Sequence, residues 1–355
     1  MKAVILHGGN GTRLRPLTYT DVKQLLPIAG RPISEYALLN LVEIGITEIN
    51  IIVGEVGEKE VRDYYGNGSK WGVNVTYTYQ NKPLGIAHAV GLVRDFIGNE
   101  NFVVLLGDNY FRDGLLELAK SFNENDYDCL IALTEVANPS QFGIAEVKEG
   151  KIVSLVEKPK EPKSNLAITG AYFLTPSIFP IIDMLRPSWR NELEITEAFQ
   201  IMLEKGGSIG YSIISSWWKD TGTVEEFLDC NKMVLDKLTG NKNSALEGLF
   251  FKDNIIISGT AHINKNSLIK GPSYIGENTV IEDSIIGPYT SIGSNCKITR
   301  SKIISSVIMD GCRVSTNNKI KIIDSILGPD VVIKPHENAD ASAKLVLGRD
   351  SKVEF

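Results

Sequence analysis

The sequence predicts an α/β chain. A Rossmann-like, mostly parallel sheet domain covers residues 1–240, and a left-handed parallel β-helix of hexapeptide repeats covers residues 241–355. Three observations predict this. Apolar strand-like runs alternate with amphipathic helical stretches up to about Leu238. A glycine-rich loop follows directly on the first apolar run. After Gly240 the period changes, and aliphatic residues begin to recur every six positions.

The expected strands of the first half are Ala3–Leu6, Ile49–Val53, Val73–Tyr79, Phe102–Leu106, Cys129–Leu133, Ile152–Val156, Ile168–Leu174 and Ser208–Ile214. The expected helices are Ile33–Ile44, Glu58–Tyr65, Ile86–Phe96, Leu115–Asn123, Ser177–Leu185, Glu194–Lys205 and Val224–Lys237. Such apolar strands are buried on both faces when helices cover a parallel sheet. Gly240-Asn241-Lys242-Asn243-Ser244 is a polar break that reads as a linker. Beyond it Ile257, Ile263, Ile269, Ile275 and Ile281 mark the hexad. Ile286, Ile292, Ile298 and Ile304 repeat it after a slip, as do Ile308, Val314, Ile320, Ile326 and Val332. Each step is one short strand, and three steps close a coil.

A chain of 355 residues, 43% of them hydrophobic, can build two domains with sizeable cores. The formal net charge of −6 argues against broad nucleic-acid binding. An anionic substrate must then meet local positive charge and metal. No run of eighteen apolar residues exists, so no membrane span is expected. Met1 leads directly into a strand without a secretory segment, which predicts a cytoplasmic protein. Cys129, Cys230, Cys296 and Cys312 are scattered and read as small apolar fillers in a reducing compartment. The flat faces of a solenoid predict a homo-oligomer.

The chemistry starts at Gly8-Gly9-Asn10-Gly11-Thr12-Arg13. Glycines let a tight loop expose its backbone N–H groups to phosphate. Arg13 adds a planar fork for two phosphate oxygens, and Lys23 follows ten positions later. A P-loop would need Lys-Ser or Lys-Thr after its last glycine, whereas Thr12-Arg13 stands here. The dinucleotide fingerprint would need a third glycine where Leu14 stands.

Asp108 ends an apolar strand, and Asp220 sits in a second loop. Magnesium takes one or two carboxylates together with phosphate oxygens and water. Either aspartate alone also reads as a turn or helix-cap residue. Glu157-Lys158 suits a sugar phosphate, with the carboxylate for hydroxyls and the ammonium for phosphate, but also reads as a charged strand end. Arg190 stands just before a helix. Gln80, with Gly85 nearby, could read a pyrimidine edge, since its amide donates and accepts in one plane.

In order, Gly8-Gly9-Asn10-Gly11-Thr12-Arg13-Leu14, Lys23-Gln24-Leu25-Leu26-Pro27, Gly107-Asp108-Asn109, Glu157-Lys158-Pro159, Glu192-Leu193-Glu194-Ile195-Thr196 and Asp220-Thr221-Gly222 resemble the motifs of the sugar-1-phosphate nucleotidyltransferases. The likeness runs from Met1 to about Leu238 and is to the thymidylyl-transferring branch, in the long form with an added β-helix. It implies dTTP and glucose 1-phosphate as substrates, with Mg2+ as cofactor.

The resemblance also implies roles. Leu6, Gly8, Gly9, Gly11, Thr12, Gln24, Gln80 and Gly85 would bind the nucleotide. Arg13 and Lys23 would be catalytic, and Asp108 and Asp220 would hold the metal. Gly143, Glu157, Lys158, Gly170 and Arg190 would bind the sugar phosphate. The chain departs from the commonest pattern at His7, where Ala is usual, at His88, where short forms often carry Gln, and at Asn191, where Gly is usual. UTP in place of dTTP is an open alternative. So are a non-catalytic subunit and acyl transfer by the β-helix, whose histidines are His262 and His336.

Overall fold

A computed structural model describes residues 1–9, 11–214, 218–240, 249–252, 254–318, 320–334 and 341–354. Asn10, Trp217, the predicted linker at 241–244 and His336 lie outside the described residues. The chain forms two compact units. One holds Met1–Gly9 with Ser34–Trp218, the other Asn10–Ile33 with Lys219–Phe355.

The first unit is built on nine strands. The strand β1 (Lys2–Leu6) is followed by α1 (Ile33–Glu43), β2 (Glu48–Val53), α2 (Glu58–Tyr65), β3 (Asn74–Tyr79), α3 (Ile86–Gly91) and α4 (Arg94–Ile97). Then come β4 (Phe102–Leu106), α5 (Leu116–Glu124), β5 (Cys129–Glu135), β6 (Gly143–Lys148), β7 (Lys151–Glu157) and β8 (Leu166–Leu174). The helices α6 (Ile178–Ile182) and α7 (Ile195–Glu204) precede β9 (Ile209–Ile213). The main sheet order is β7-β6-β8-β4-β1-β2-β3, with β5 pairing β8 and β9.

Strands β4, β1, β2 and β3 run parallel, with Ala3 opposite Val103 and Ile49. The side chains of β4, β1 and β2 are almost wholly buried, as their uninterrupted apolar runs require, whereas β3 at the sheet edge buries only Val75 fully. The sheet is extended on one side by β8, which is antiparallel to β4, β5 and β6. The strand β6 was not anticipated, because Ile144, Ala145 and Val147 give it only a short apolar signal between Gly143 and Lys148. The expected helix Ile86–Phe96 is broken into α3 and α4 at Val93, whose φ of −98° and ψ of 12° leave the helical well. Gly91, a poor helix former, ends the first piece.

In the second unit, Pro27–Ile28 and Arg31–Pro32 form a small hairpin. Ala29 and Gly30 turn it with positive φ values of 47° and 81°, the twist a two-residue hairpin needs. The helix α8 (Val224–Gly240) follows, and then the left-handed β-helix, whose strands from Ile255 on stack into three parallel sheets, one of them begun by the antiparallel strand Leu249–Lys252. The inward ladders run Ile275-Ile292-Ile308-Leu327, Ile281-Ile298-Val314-Ile333 and Ile286-Ile303-Ile322. These residues form one buried cluster with Cys296 and Cys312.

The hexad drifts out of phase here. Ile303, Ile322, Leu327 and Ile333 enter the core cluster where the period placed Ile304, Ile320, Ile326 and Val332. The reason is coil length: successive coils take 18, 17, 16, 19 and 20 residues rather than a constant number. All four cysteines are free and buried, as expected of apolar fillers. Among the described residues no helix is long and apolar enough to cross a membrane.

Candidate active site

In the first unit the carboxyl ends of β1 and β4 are tied together. The Gly107 N–H donates to the Leu6 carbonyl at 2.9 Å, and the His7 N–H donates to the Ile52 carbonyl at 2.9 Å. Gly8 and Gly9 therefore leave the sheet beside Asp108, beyond the carboxyl ends where ligands of such sheets sit. The Leu6 side chain is in the core, so only its backbone is available to a nucleotide. Gly9 has φ of 104°, which a side chain would strain.

His7 is 3% exposed, and both ring nitrogens lack a hydrogen-bond partner among the described residues. It stacks on Tyr65 with ring centroids 5.7 Å apart. Burial pushes its pKa down to about 3, against the opposing pull of Asp108. The imidazole is thus neutral at pH 7.

Gln80 follows β3 and is buried. Its Nε2 donates to His88 Nδ1 at 2.9 Å and to the Gly85 carbonyl at 3.4 Å. The unusual His88 thus fixes the orientation of the Gln80 amide. A Cβ on Gly8 would stand 3.3 Å from Gln80 Oε1, so the glycine loop and Gln80 are neighbours. At Gly85, φ is 103° and a Cβ would come within 2.4 Å of the Leu193 carbonyl oxygen. Only glycine permits that crossing.

The end of β7 brings a second group together. Glu157 pairs with Gly143 across the β6–β7 hairpin. Its Oε2 accepts from Thr196 Oγ1 at 2.7 Å, and its Oε1 lies 3.4 Å from Arg190 Nη1 and 4.0 Å from Lys158 Nζ. Burial raises the Glu157 pKa, the Thr196 hydrogen bond lowers it, Glu194 raises it, and Lys158 and Arg190 lower it. Arg190 also pairs with Glu192 at 3.0 Å and Glu194 at 3.4 Å. Gly143 leaves room for this group, since a Cβ there would sit 2.5 Å from Thr196 Oγ1 and 2.9 Å from Glu157 Oε2. Asn191 has φ of 59°, which explains why the place usual for Gly takes Asn, the side chain that tolerates this region best.

Asp108 Oδ1 accepts from Asn109 Nδ2 at 2.8 Å, and Asn109 Oδ1 accepts from Trp218 Nε1 at 2.6 Å. Gly170 lies against Asn109, where a Cβ would meet Oδ1 at 2.6 Å.

In the second unit, Arg13, Lys23 and Asp220 converge. Lys23 Nζ lies 3.5 Å from Asp220 Oδ1, and Arg13 Nη2 lies 4.0 Å from Asp220 Oδ2. Thr18 Oγ1 donates to the Gly11 carbonyl at 2.7 Å and closes the loop. Gly11 has φ of 56°, and its Cβ would press on Thr18 at 2.9 Å and Lys23 at 3.2 Å. Gly222 lets the guanidinium lie over the backbone, since a Cβ there would meet Arg13 Nη2 at 2.7 Å. Thr12 is exposed at the loop, and Gln24 is buried beside Lys23 in sequence.

A model of the nucleotidyl transferase family matches residues 2–237. The chain belongs to the nucleotidyl transferase family. As a nucleotidyl transferase it is an enzyme, and full-length relatives share both of its halves. It is 41% identical over 364 residues to the low-salt glycan biosynthesis nucleotidyltransferase Agl11 of Haloferax volcanii, covering 100% of both chains. It is 40% identical over 361 residues to the glucose-1-phosphate thymidylyltransferase of Streptomyces antibioticus, covering 100% of this chain and 99% of the relative. A solved Bacillus anthracis protein assigned as a glucose-1-phosphate thymidylyltransferase, in complex with sucrose, superposes with a TM-score of 0.62 at 40% identity. That match covers 65% of this chain and 94% of the other.

The nucleotidyl transferase chain brings its predicted residues together in groups: Arg13, Lys23 and Asp220; Gly143, Glu157, Lys158 and Arg190; Gly8, Gln80 and Gly85; and Asp108 with Gly170 through Asn109. Sequence reasoning passed over Thr196, Glu194, Gly222 and Trp218 as individual residues. The first three stand inside quoted motifs, which was the available signal. Among the described residues no three His, Cys, Asp or Glu side chains gather as a metal cage. Asp108 and Asp220 offer oxygen donors only, the donor type that suits a hard divalent cation completed by phosphate and water.

Proposed function

We propose that the chain converts dTTP and glucose 1-phosphate into dTDP-glucose and pyrophosphate, as a glucose-1-phosphate thymidylyltransferase. The observation that carries the reading is the pair of cations held against Asp220, Arg13 on the loop that Thr18 closes onto Gly11 and Lys23 on the turn that follows it. The full-length likeness to the Streptomyces antibioticus enzyme supports the choice of substrates.

The reaction is an in-line displacement. A phosphate oxygen of glucose 1-phosphate forms a bond to the α-phosphorus of dTTP, and the bond to the bridging oxygen of pyrophosphate breaks. The attacking oxygen is already anionic near neutral pH, so no general base is required. What the enzyme must do is hold two mutually repelling anions and stabilise the crowded phosphorus.

The backbone of Leu6, Gly8, Gly9, Gly11 and Thr12 would cradle the triphosphate. Arg13 would take the charge of the departing pyrophosphate, and Lys23, with Gln24 beside it, the phosphates at the reacting centre. Gln80 and Gly85 would contact the base. Glu157 would accept from glucose hydroxyls, with Gly143 and Gly170 giving the sugar room. Lys158 and Arg190 would bind its phosphate. Asp108 and Asp220 would hold Mg2+, which when bound neutralises phosphate charge.

A second reading, UTP as nucleotide, rests on Gln80, because the donor and acceptor edge of a pyrimidine is common to uracil and thymine. We place the functional division at 240, with the β-helix over 241–355 as an assembly element of a cytoplasmic homo-oligomer that binds no nucleic acid. Gel filtration of the full chain against a truncation after Leu238 tests assembly, and unchanged mass per particle rejects it. The function is tested by pyrophosphate release over a panel of nucleoside triphosphates and sugar 1-phosphates. The dTTP and glucose 1-phosphate pair is expected to give the highest kcat/KM. A preference for UTP would select the second reading.

A further inference from the structure

The β-helix carries a basic groove that the proposed chemistry does not use. It lies on the outer face of one sheet, on strands Lys297–Thr299, Arg313–Ser315, Val332–Lys334 and Lys352–Glu354. Its volume is about 370 Å³, within the range of small-molecule sites. The middle residue of each strand turns into the core, so the flanking residues face outward. Lys297, Arg313, Lys334 and Lys352 thereby line one concavity together with Thr299 and Ser315.

Two features mark this face as more than a solvated surface. Lys297 stands directly in register with Arg313. Like charges on adjacent strands destabilise a sheet, and none of the four cations has an ion pair with a described residue. Lys334 is in register with Glu354, the one acid on these strands. The Ser315 hydroxyl is shielded from solvent and lacks a hydrogen-bond partner among the described residues. A buried polar atom left alone is uncommon and marks a place where a partner is missing.

We propose that this groove binds a small anion bearing at least two phosphoryl groups. Strands of a sheet are spaced by about 4.8 Å, so the cations from Lys297 to Lys352 extend over about 14 Å. That length suits a chain of phosphoryl groups rather than a single phosphate. The cations hold its oxygens, and Thr299 donates a hydroxyl. The net charge of −6 favours a compact anion over a nucleic acid.

Inorganic tripolyphosphate is the probe, added to the full chain at physiological salt. Lysine acylation by N-hydroxysuccinimidyl acetate, mapped by mass spectrometry, locates it. Acylation of Lys297, Lys334 and Lys352 is expected to slow by about fivefold with the probe, as charge-assisted hydrogen bonds occupy the amines. Lys302 and Lys321, also in register but on the neighbouring sheet, are the internal control and should not change. Arg313→Ala should raise the probe concentration needed for protection about tenfold and leave turnover unchanged, whereas the Lys302→Ala, Lys321→Ala double variant should change neither quantity.

Equal slowing at Lys302 and Lys321 would overturn the proposal as diffuse attraction. Protection at Lys23 and Lys158 alone would overturn it as binding to the substrate residues only. Shielding of the groove lysines that rises with protein concentration in the absence of probe would assign the face to a second copy of the chain instead.

Discussion

Asn231 Oδ1 accepts a hydrogen bond from Ser291 Oγ at 2.7 Å, which ties helix α8 to the β-helix. The same oxygen accepts from the Ala29 N–H at 3.1 Å, and the side chain is 1% exposed. Ala29 turns the hairpin that follows Lys23, and the adjacent Gly30 lies flat against the Tyr274 ring of the β-helix. Arg349 pairs with Asp21 at the other side of this arm. The segment that bears Arg13 and Lys23 is therefore packed on the solenoid of its own unit.

Asn231→Ala should accordingly act on turnover as well as stability. It leaves a buried hydroxyl and a buried N–H without their acceptor, at a cost of about 1–3 kcal/mol each. Denaturant unfolding should show the loss, and kcat should fall while the KM for glucose 1-phosphate changes little. Unaltered kcat would separate the arm from the solenoid in function.

Arg13→Ala and Lys23→Ala should each lower kcat/KM by about a hundredfold, or about 3 kcal/mol of transition-state stabilisation. Their effects on folding should differ. The Arg13 side chain is 62% exposed and that of Lys23 only 9%, so losing Lys23 strands Asp220 without its closer cation. Circular dichroism melts beside pyrophosphate assays check both. A folded Arg13→Ala enzyme with full activity would remove that residue from the mechanism.

The buried His7 gives a pH dependence with a defined sign. Its folded pKa of about 3 lies below its unfolded value of 6.5, so the unfolded chain binds more protons between those limits. Its contribution to stability is complete above pH 6.5 and is lost as pH falls toward 3, by about 1.4 kcal/mol per unit. His7→Phe keeps a ring on Tyr65 and removes the titration. Urea unfolding at pH 7 and pH 5 should therefore show a shallower decline for the variant, by about 2 kcal/mol. Parallel declines would contradict the buried neutral imidazole.

Gly143→Ala should damage sugar-phosphate binding and spare the nucleotide. The added methyl meets Thr196 Oγ1 at 2.5 Å and Glu157 Oε2 at 2.9 Å, which breaks their hydrogen bond. The KM for glucose 1-phosphate should rise about tenfold, the loss of one hydrogen bond to a charged group, with the KM for dTTP little changed. Equal rises in both would mean that the hairpin has been displaced as a whole.

Much of this was legible in the sequence, because strand runs and hexads are local patterns. Val103-Val104-Leu105-Leu106 before Gly107-Asp108 gives a buried strand and the acid at its end. The drift from Ile304 to Ile303 was not legible, because the inward position depends on how many residues each corner of the coil takes. Asn231 reads as one polar residue on an amphipathic helix. Its value comes from Ala29 and Ser291, which are 202 and 60 residues away in sequence. Glu157 could be singled out as a carboxylate beside Lys158, yet its hydroxyl partner Thr196 arrives only through packing of α7 on β7.

The most direct test of the account follows a phosphorus label at the α position of dTTP during turnover with glucose 1-phosphate. Attack at that phosphorus predicts that all the label leaving dTTP enters dTDP-glucose and that unlabelled pyrophosphate forms in equal amount. Label appearing in thymidine mono- or diphosphate instead of dTDP-glucose, or release of the phosphate of glucose 1-phosphate, would contradict it.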